Sequence, residues 1–210
     1  VDYLIGDAVV SPAEHAADYT EALVRLPGCY QPNDRSREAA PTPPRAALGL
    51  PEAAIVLCGF NATWKIHPGV FAAWMRILAA CPGAVLWLLQ RADDDPASAA
   101  LRAQARAAGI DPQRLVFATH RPLAEYLALY RHADLMLDTW PYNAHTTASD
   151  ALWMGCPVVT WTGDTFASRV ATSLLDTLGV PELAARDEAG YVALAIALAQ
   201  DGSRRMALRE

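Results

Sequence analysis

The run Ile55-Val56-Leu57-Cys58, the loop Gly59-Phe60-Asn61-Ala62-Thr63-Trp64-Lys65, a helical stretch opened by Pro68, and the run Val85-Leu86-Trp87-Leu88-Leu89 together decide the fold. Four or five continuous apolar residues make a strand buried on both faces, the situation of a parallel sheet with helices above and below. The alternation continues with strands predicted over 115–117, 135–138 and 158–161, and helices over 70–80, 97–108, 123–130 and 146–154. Pro68 and Pro96 stand where helices open, Gly109 and Gly155 where they close, and Pro157 follows a stop. Two further helices are expected near 166–178 and 188–199. The fold class is therefore α/β: a Rossmann-like parallel sheet with helices on both faces.

Outward from this region the pattern changes. Residues 31–44 are polar and Pro-rich and read as a linker or domain boundary. Before them, Val1 to Asp7 reads as a short strand, and Ser11-Pro12-Ala13-Glu14 reads as a helix start, Ser11 as the N-cap, predicting a helix to about Leu26. The organisation expected is 1–30 as one piece, 31–50 as a linker and 51–210 as the α/β domain. The first residues lack an initiator Met, a basic segment and a small-residue cleavage site, and 203–210 is helix-forming with no stop signal. The expectation is a piece of a longer chain.

Composition narrows the function. The chain is 53% hydrophobic and 19% charged, and no apolar run approaches the ~18 residues a membrane span needs, so no span is expected. A net charge of -6 argues against non-specific nucleic-acid binding, which needs a basic face. Cys29, Cys58, Cys81 and Cys156 have no Cys-x-x-Cys spacing and read as free thiols of a cytoplasmic protein. Among 17 lysines and arginines, Lys65 is the only lysine, a compact point charge that a guanidinium does not replace.

In open parallel sheets ligands sit beyond the carboxyl ends of the strands. Three segments qualify: 59–67, 119–122 and 139–147. The stretch Asn143-Ala144-His145-Thr146-Thr147-Ala148-Ser149-Asp150 opens a helix, whose free N–H groups and dipole make an anion site suited to a diphosphate. The plain alternative is that Thr146 or Thr147 merely caps that helix. Lys65 is placed where a phosphate would lie, and its cation could neutralise a departing diphosphate; the alternative is a solvated loop lysine. Asp93-Asp94-Asp95 precedes Pro96 and reads as helix-start acids rather than metal ligands. No dinucleotide fingerprint or P-loop is present.

Cys58-Gly59-Phe60-Asn61 with Lys65, Val85 to Leu89, Arg131-His132-Ala133-Asp134, Leu137-Asp138-Thr139, Asn143 to Thr147 with Asp150 and Leu152-Trp153, and Ala167-Ser168-Arg169-Val170 resemble, in order and spacing, the catalytic region of O-linked N-acetylglucosamine transferases. The resemblance covers roughly 50–200, and the short linker suggests a bacterial-type homologue. It implies the nucleotide-binding half of a GT-B glycosyltransferase, with 1–30 as the end of the first catalytic domain. Carried over by position, Lys65 would contact the donor diphosphate as the catalytic cation. His145, Thr146 and Thr147 would bind phosphate, and Asp150 would approach the ribose. The loop 119–122 with Arg121 would frame the uracil, Tyr126 would set a ring against the nucleotide, and Asn61 would join the donor site. The implied reaction moves N-acetylglucosamine from UDP-GlcNAc to Ser or Thr of proteins, with inversion and without a metal or other cofactor. An upstream first catalytic domain, with or without helical repeats, is the expected partner within the full-length chain. The alternatives are a GT-B transferase with a small-molecule or glycan acceptor, and a non-catalytic nucleotide-sugar-binding module.

Overall fold

The computed structural model describes residues 1–92 and 94–210. Among the described residues there are two parallel sheets. The first pairs β1 (Tyr3–Asp7) with β2 (Ala22–Leu26), residue Tyr3 opposite Ala22 through Asp7 opposite Leu26. The second is six-stranded, built from β3 (Ile55–Gly59), β4 (Ala84–Gln90), β5 (Leu115–Thr119), β6 (Leu135–Leu137), β7 (Val158–Trp161) and β8 (Ala184–Ala185). Its spatial order is β5-β4-β3-β6-β7-β8, every adjacent pair parallel. The chain thus starts in the middle of the sheet, builds outward to one edge, returns, and builds to the other.

The helices are α1 (Pro68–Ala80), α2 (Pro96–Ala107), α3 (Leu123–Leu129), α4 (Thr146–Trp153), α5 (Val170–Thr177), α6 (Glu188–Gln200) and α7 (Gly202–Ala207). Strand order reverses between β3 and β6, so right-handed crossovers put α1 and α2 on one face and α4 and α5 on the other. Helix α6 packs against α1, where Trp74 Nε1 donates to the Tyr191 hydroxyl at 2.9 Å, both side chains fully buried. The central strands β3, β4 and β6 of the six-stranded sheet are apolar on both faces because both are covered. Val56, Leu57, Leu86, Trp87, Leu88, Leu135, Met136 and Leu137 are all buried. Prolines 68 and 96 occupy the first helical turns, and Gly109 and Gly155 follow their helices at φ +77° and +70°.

The helix expected over 11–26 does not form. Ser11 caps nothing: its hydroxyl donates to Asp7 O at 3.2 Å, and only a 3₁₀ turn follows, over Ala13–Asp18. Asp7 accounts for the difference. Its buried carboxylate accepts the amides of Val9 and Val10 at 2.8 Å, closing a tight turn. The chain then reverses early enough for Ala22–Leu26 to pair with β1, and that pairing overrides local helix preference. The same carboxylate takes the Ser173 hydroxyl at 2.6 Å and the Tyr30 amide at 2.9 Å, joining this piece to α5.

The Pro-rich segment is a strap laid against the α/β domain. Ala40 N donates to Ala124 O at 2.9 Å, His132 Nε2 bonds Pro43 O at 2.6 Å, and Arg131 reaches Ala40 O and the Thr42 hydroxyl. Among the described residues no helix is long and apolar enough to cross a membrane.

Candidate functional site

The strand order reverses between β3 and β6, and the loops leaving these two strands build the centre of the site. Beyond β3, Phe60 packs edge-on against Trp87 at 5.0 Å between ring centres and tilts against Tyr130 at 5.2 Å, which anchors the loop. Asn61 follows, 2% exposed, with neither its amide oxygen nor its nitrogen partnered among the described residues. A buried side chain with both polar atoms unspent is costly unless a ligand or water meets it. Thr63–Lys65 then makes a single 3₁₀ turn that throws the Lys65 side chain toward the loop beyond β6.

That second loop is organised by Asp138, which is 2% exposed. One carboxylate oxygen accepts the amides of Thr139 at 2.7 Å and Ala144 at 2.6 Å; the other accepts the Thr160 hydroxyl at 2.6 Å. The loop 139–144 is thereby closed into a ring tied to β7. Burial drives the Asp138 carboxyl up to about 7, against the pull of those three donors and of the Lys65 charge. Tyr191 donates to Asp138 O at 2.9 Å, so α6 supports the same corner.

On this ring Asn143 O accepts from Lys65 Nζ at 2.9 Å, and the ammonium lies 4.0 Å from the centre of the Tyr142 ring. Tyr142 stacks in turn on His145 at 5.0 Å and 22°. Burial lowers the Lys65 pKa, with Asp138 opposing it. His145 is also pushed down, first by burial and further by the Lys65 cation, against a bond from its Nε2 to Ala167 O at 3.4 Å. His145 is the N-cap residue of α4 and gives it no side-chain hydrogen bond. Neither Thr146 nor Thr147 caps the helix among the described bonds, so the simple-cap alternative for these hydroxyls finds no support.

Arg121, Tyr126, Thr146, Thr147 and Asp150 share one cavity of about 360 Å³, with Phe60, Leu89 and His120 in its wall. Asn61 and Thr63 line an adjoining cavity of about 220 Å³ that shares Leu89 and His120. Tyr126 bonds the Tyr130 hydroxyl at 2.6 Å, and Tyr130 donates to Thr147 O at 3.2 Å, fixing the aromatic wall to the start of α4. Lys65 and His145 flank the same helix start through Tyr142 and Asn143. Asp150 is ion-paired with Arg37 of the strap, both buried.

Arg37 and Tyr142 were given no role by the sequence, and Asp138 entered only within the run Leu137-Asp138-Thr139. Asp138 carried a signal, a carboxylate ending an apolar strand, while Arg37 sits in a segment without periodicity. Of the aspartates before α2, Asp95 caps that helix by accepting from Ala97 N at 2.9 Å, and Asp93 lies outside the described residues. No three His, Cys, Asp or Glu side chains among the described residues are grouped as metal ligands would be.

An all-parallel sheet in this strand order, with the half-buried Lys65 beside the start of α4 at the reversal point, is the Rossmann-like half of a GT-B glycosyltransferase. The chain belongs to glycosyl transferase family 41, whose profile matches residues 31–210. It is 40% identical over 165 residues to a UDP-N-acetylglucosamine–peptide N-acetylglucosaminyltransferase of Caenorhabditis elegans, covering 79% of this chain and 14% of that protein. It is 36% identical to the probable enzyme of that name, SEC, of Arabidopsis thaliana, covering 86% of this chain and 19% of the relative. Among solved structures, a mutant of Thermobaculum terrenum O-GlcNAc transferase superposes with a TM-score of 0.87 at 35% identity, covering 100% of this chain and 39% of that one. A sucrose-phosphate synthase from Thermosynechococcus elongatus, at 16% identity and TM-score 0.54 over 98% of this chain and 54% of that one, shares the fold alone. The chain thus spans 14% and 19% of the length of the two curated transferases and 39% of the Thermobaculum chain.

Proposed function

We propose that this chain is the donor-binding half of an inverting transferase that moves N-acetylglucosamine from UDP-GlcNAc to Ser or Thr hydroxyls of proteins. The observation that carries this reading is the Lys65 ammonium, held at 2.9 Å from Asn143 O beside the uncapped start of α4. Departure of UDP concentrates negative charge on the diphosphate, and preorganised donors aimed there lower the barrier most. Lys65 supplies the cation, and the first amides of α4 with Thr146 and Thr147 supply neutral donors. His145, its pKa lowered, meets the anion as a neutral ring. These groups do the work of a divalent ion, so the reaction runs without metal or other cofactor. Tyr126, Arg121 and Asn61 line the cavities for the nucleoside. The relatives' names, which specify UDP-N-acetylglucosamine and a peptide, support the donor and acceptor.

Sugar and acceptor contacts are completed by an upstream first catalytic domain. The free cysteines fit a reducing compartment, and we place the enzyme in the cytoplasm. The test is transfer by the intact protein from a panel of UDP-sugars to a protein acceptor mixture, in EDTA. Transfer from UDP-GlcNAc to Ser or Thr in EDTA is the expected result. An absolute need for Mg²⁺ or Mn²⁺, or transfer only to small molecules or glycans, overturns the reading.

A further inference from the structure

The cavity lined by Tyr126 and Thr147 has another polar wall, Asp150, and the cation beside that carboxylate comes from outside the α/β domain. Asp150 Oδ1 accepts from Nη1 of Arg37, 113 positions earlier on the strap. The two side chains are 6% and 8% exposed. The guanidinium is held in place from behind. It lies 5.1 Å from the centre of the Trp153 ring, and Trp153 Nε1 donates to Arg37 O at 3.3 Å. Asn33 of the same strap meets Ser149, the residue before Asp150 on α4. The strap therefore grips the helix that opens at His145 through Ser149, Asp150 and Trp153.

This attachment has a chemical consequence. Asp150 Oδ2 has no hydrogen bond among the described residues, and Asp150 borders the cavity. A carboxylate this buried keeps its charge only against a paired cation, and it keeps one orientation only if one oxygen is tied. With Oδ1 tied to Arg37, Oδ2 is left as a charged acceptor, the group that recognises adjacent hydroxyls. Burial pushes the Asp150 carboxyl up and the Arg37 charge pulls it back, in keeping with that role.

We infer that Arg37 is a positioning residue for the nucleoside: it holds the Asp150 carboxylate so that Oδ2 accepts from the ribose hydroxyls of the donor nucleotide. This rests on the reading of the cavity as a uridine diphosphate site. The strap then contributes to donor recognition, and its role is more than linkage.

The test is calorimetry on the intact protein with UDP, 2′,3′-dideoxy-UDP and inorganic pyrophosphate. The wild type is expected to prefer UDP over the dideoxy analogue by on the order of tenfold, the worth of a hydrogen bond to a charged group. Arg37→Met and Asp150→Asn should each shrink that preference below about threefold, and the double variant should lose nothing more, because the two act as one unit. Pyrophosphate affinity should stay unchanged in all of them. Arg37→Lys keeps a cation, is expected to retain an intermediate preference, and gives the reading should Arg37→Met unfold. Full preference in either Arg37 variant overturns the inference, leaving Arg37 as a tether of the fold. Tighter UDP binding in Arg37→Met overturns it as well, since the guanidinium would then be occluding the carboxylate. A wild type that binds UDP without preferring it overturns this inference alone, and one that does not bind UDP overturns the site reading with it.

Discussion

Lys65 Nζ lies 4.0 Å from the centre of the Tyr142 ring and donates to the neighbouring carbonyl, Asn143 O, at 2.9 Å. The Trp64 ring centre is 5.6 Å away, and an ammonium has three N–H donors, so a single carbonyl hydrogen bond and these π faces leave capacity for an anion. The contact should strengthen as charge accumulates on a leaving diphosphate. Lys65→Met in the intact enzyme is therefore expected to lower kcat by about 10²- to 10³-fold with a much smaller change in donor KM. Lys65→Arg should rescue little, because a planar guanidinium does not fit a seat formed by one carbonyl and the ring faces of Tyr142 and Trp64. Steady-state kinetics at saturating donor decides the matter. Near-normal turnover in Lys65→Met would make this lysine a bystander.

Thr147, half-exposed, lies in the first turn of α4 and lines the cavity. Its hydroxyl caps no helix, so its loss should leave α4 intact while removing a donor to the ligand. Thr147→Val is expected to weaken UDP binding by on the order of 1 to 3 kcal/mol with little change in thermal stability. A collapse in melting temperature alongside unchanged UDP affinity would show that the hydroxyl serves the fold.

The six-stranded sheet was legible because its strands are short, largely apolar runs between helices: the strand expected over 158–161 forms over Val158–Trp161, and Pro68 and Pro96 open α1 and α2. Strand ends also pointed to the loops that build the site. What failed was local preference tested against distant pairing. Ala22–Leu26 looks helical until β1 is beside it, and the two-residue β8 carries no pattern of its own. The Arg37–Asp150 pair was illegible for the same reason, because nothing in a Pro-rich segment announces which helix it will lie against.

Gly59 ends β3 under close packing. A Cβ there would lie 3.1 Å from Leu88 Cδ2 and 3.2 Å from Trp74 Cη2. Neither neighbour is free to yield: both are fully buried, and Trp74 is bonded to Tyr191, which is bonded to Asp138. Gly59→Ala is expected to cost about 1 to 3 kcal/mol, read as a lowered midpoint in denaturant at unchanged slope. An unchanged midpoint would mean that the Trp74 indole can shift without breaking its bond.

Asp138 links the site to stability through pH. Its carboxyl is raised to about 7 from an ordinary 3.8, so between these values the native state holds a proton that the unfolded chain has released. Stability changes with pH in proportion to protons bound by the unfolded state minus those bound by the native state. That difference is negative here, so this group's contribution falls as pH rises from about 4 to about 7, by up to roughly 1.4 kcal/mol per pH unit. Asp150, also raised, acts in the same direction. His145 acts in the opposite one, since a lowered imidazole leaves the native state with fewer protons near pH 6. The informative quantity is therefore the difference between wild type and Asp138→Asn. The amide can keep accepting from Thr139 and Ala144 through its oxygen, while its nitrogen donates to the Thr160 hydroxyl. Denaturant unfolding across pH 4 to 7 should show the wild type losing stability relative to the variant as pH rises. A difference that stays flat would mean the three donors around the carboxylate outweigh its burial and hold it ionised throughout.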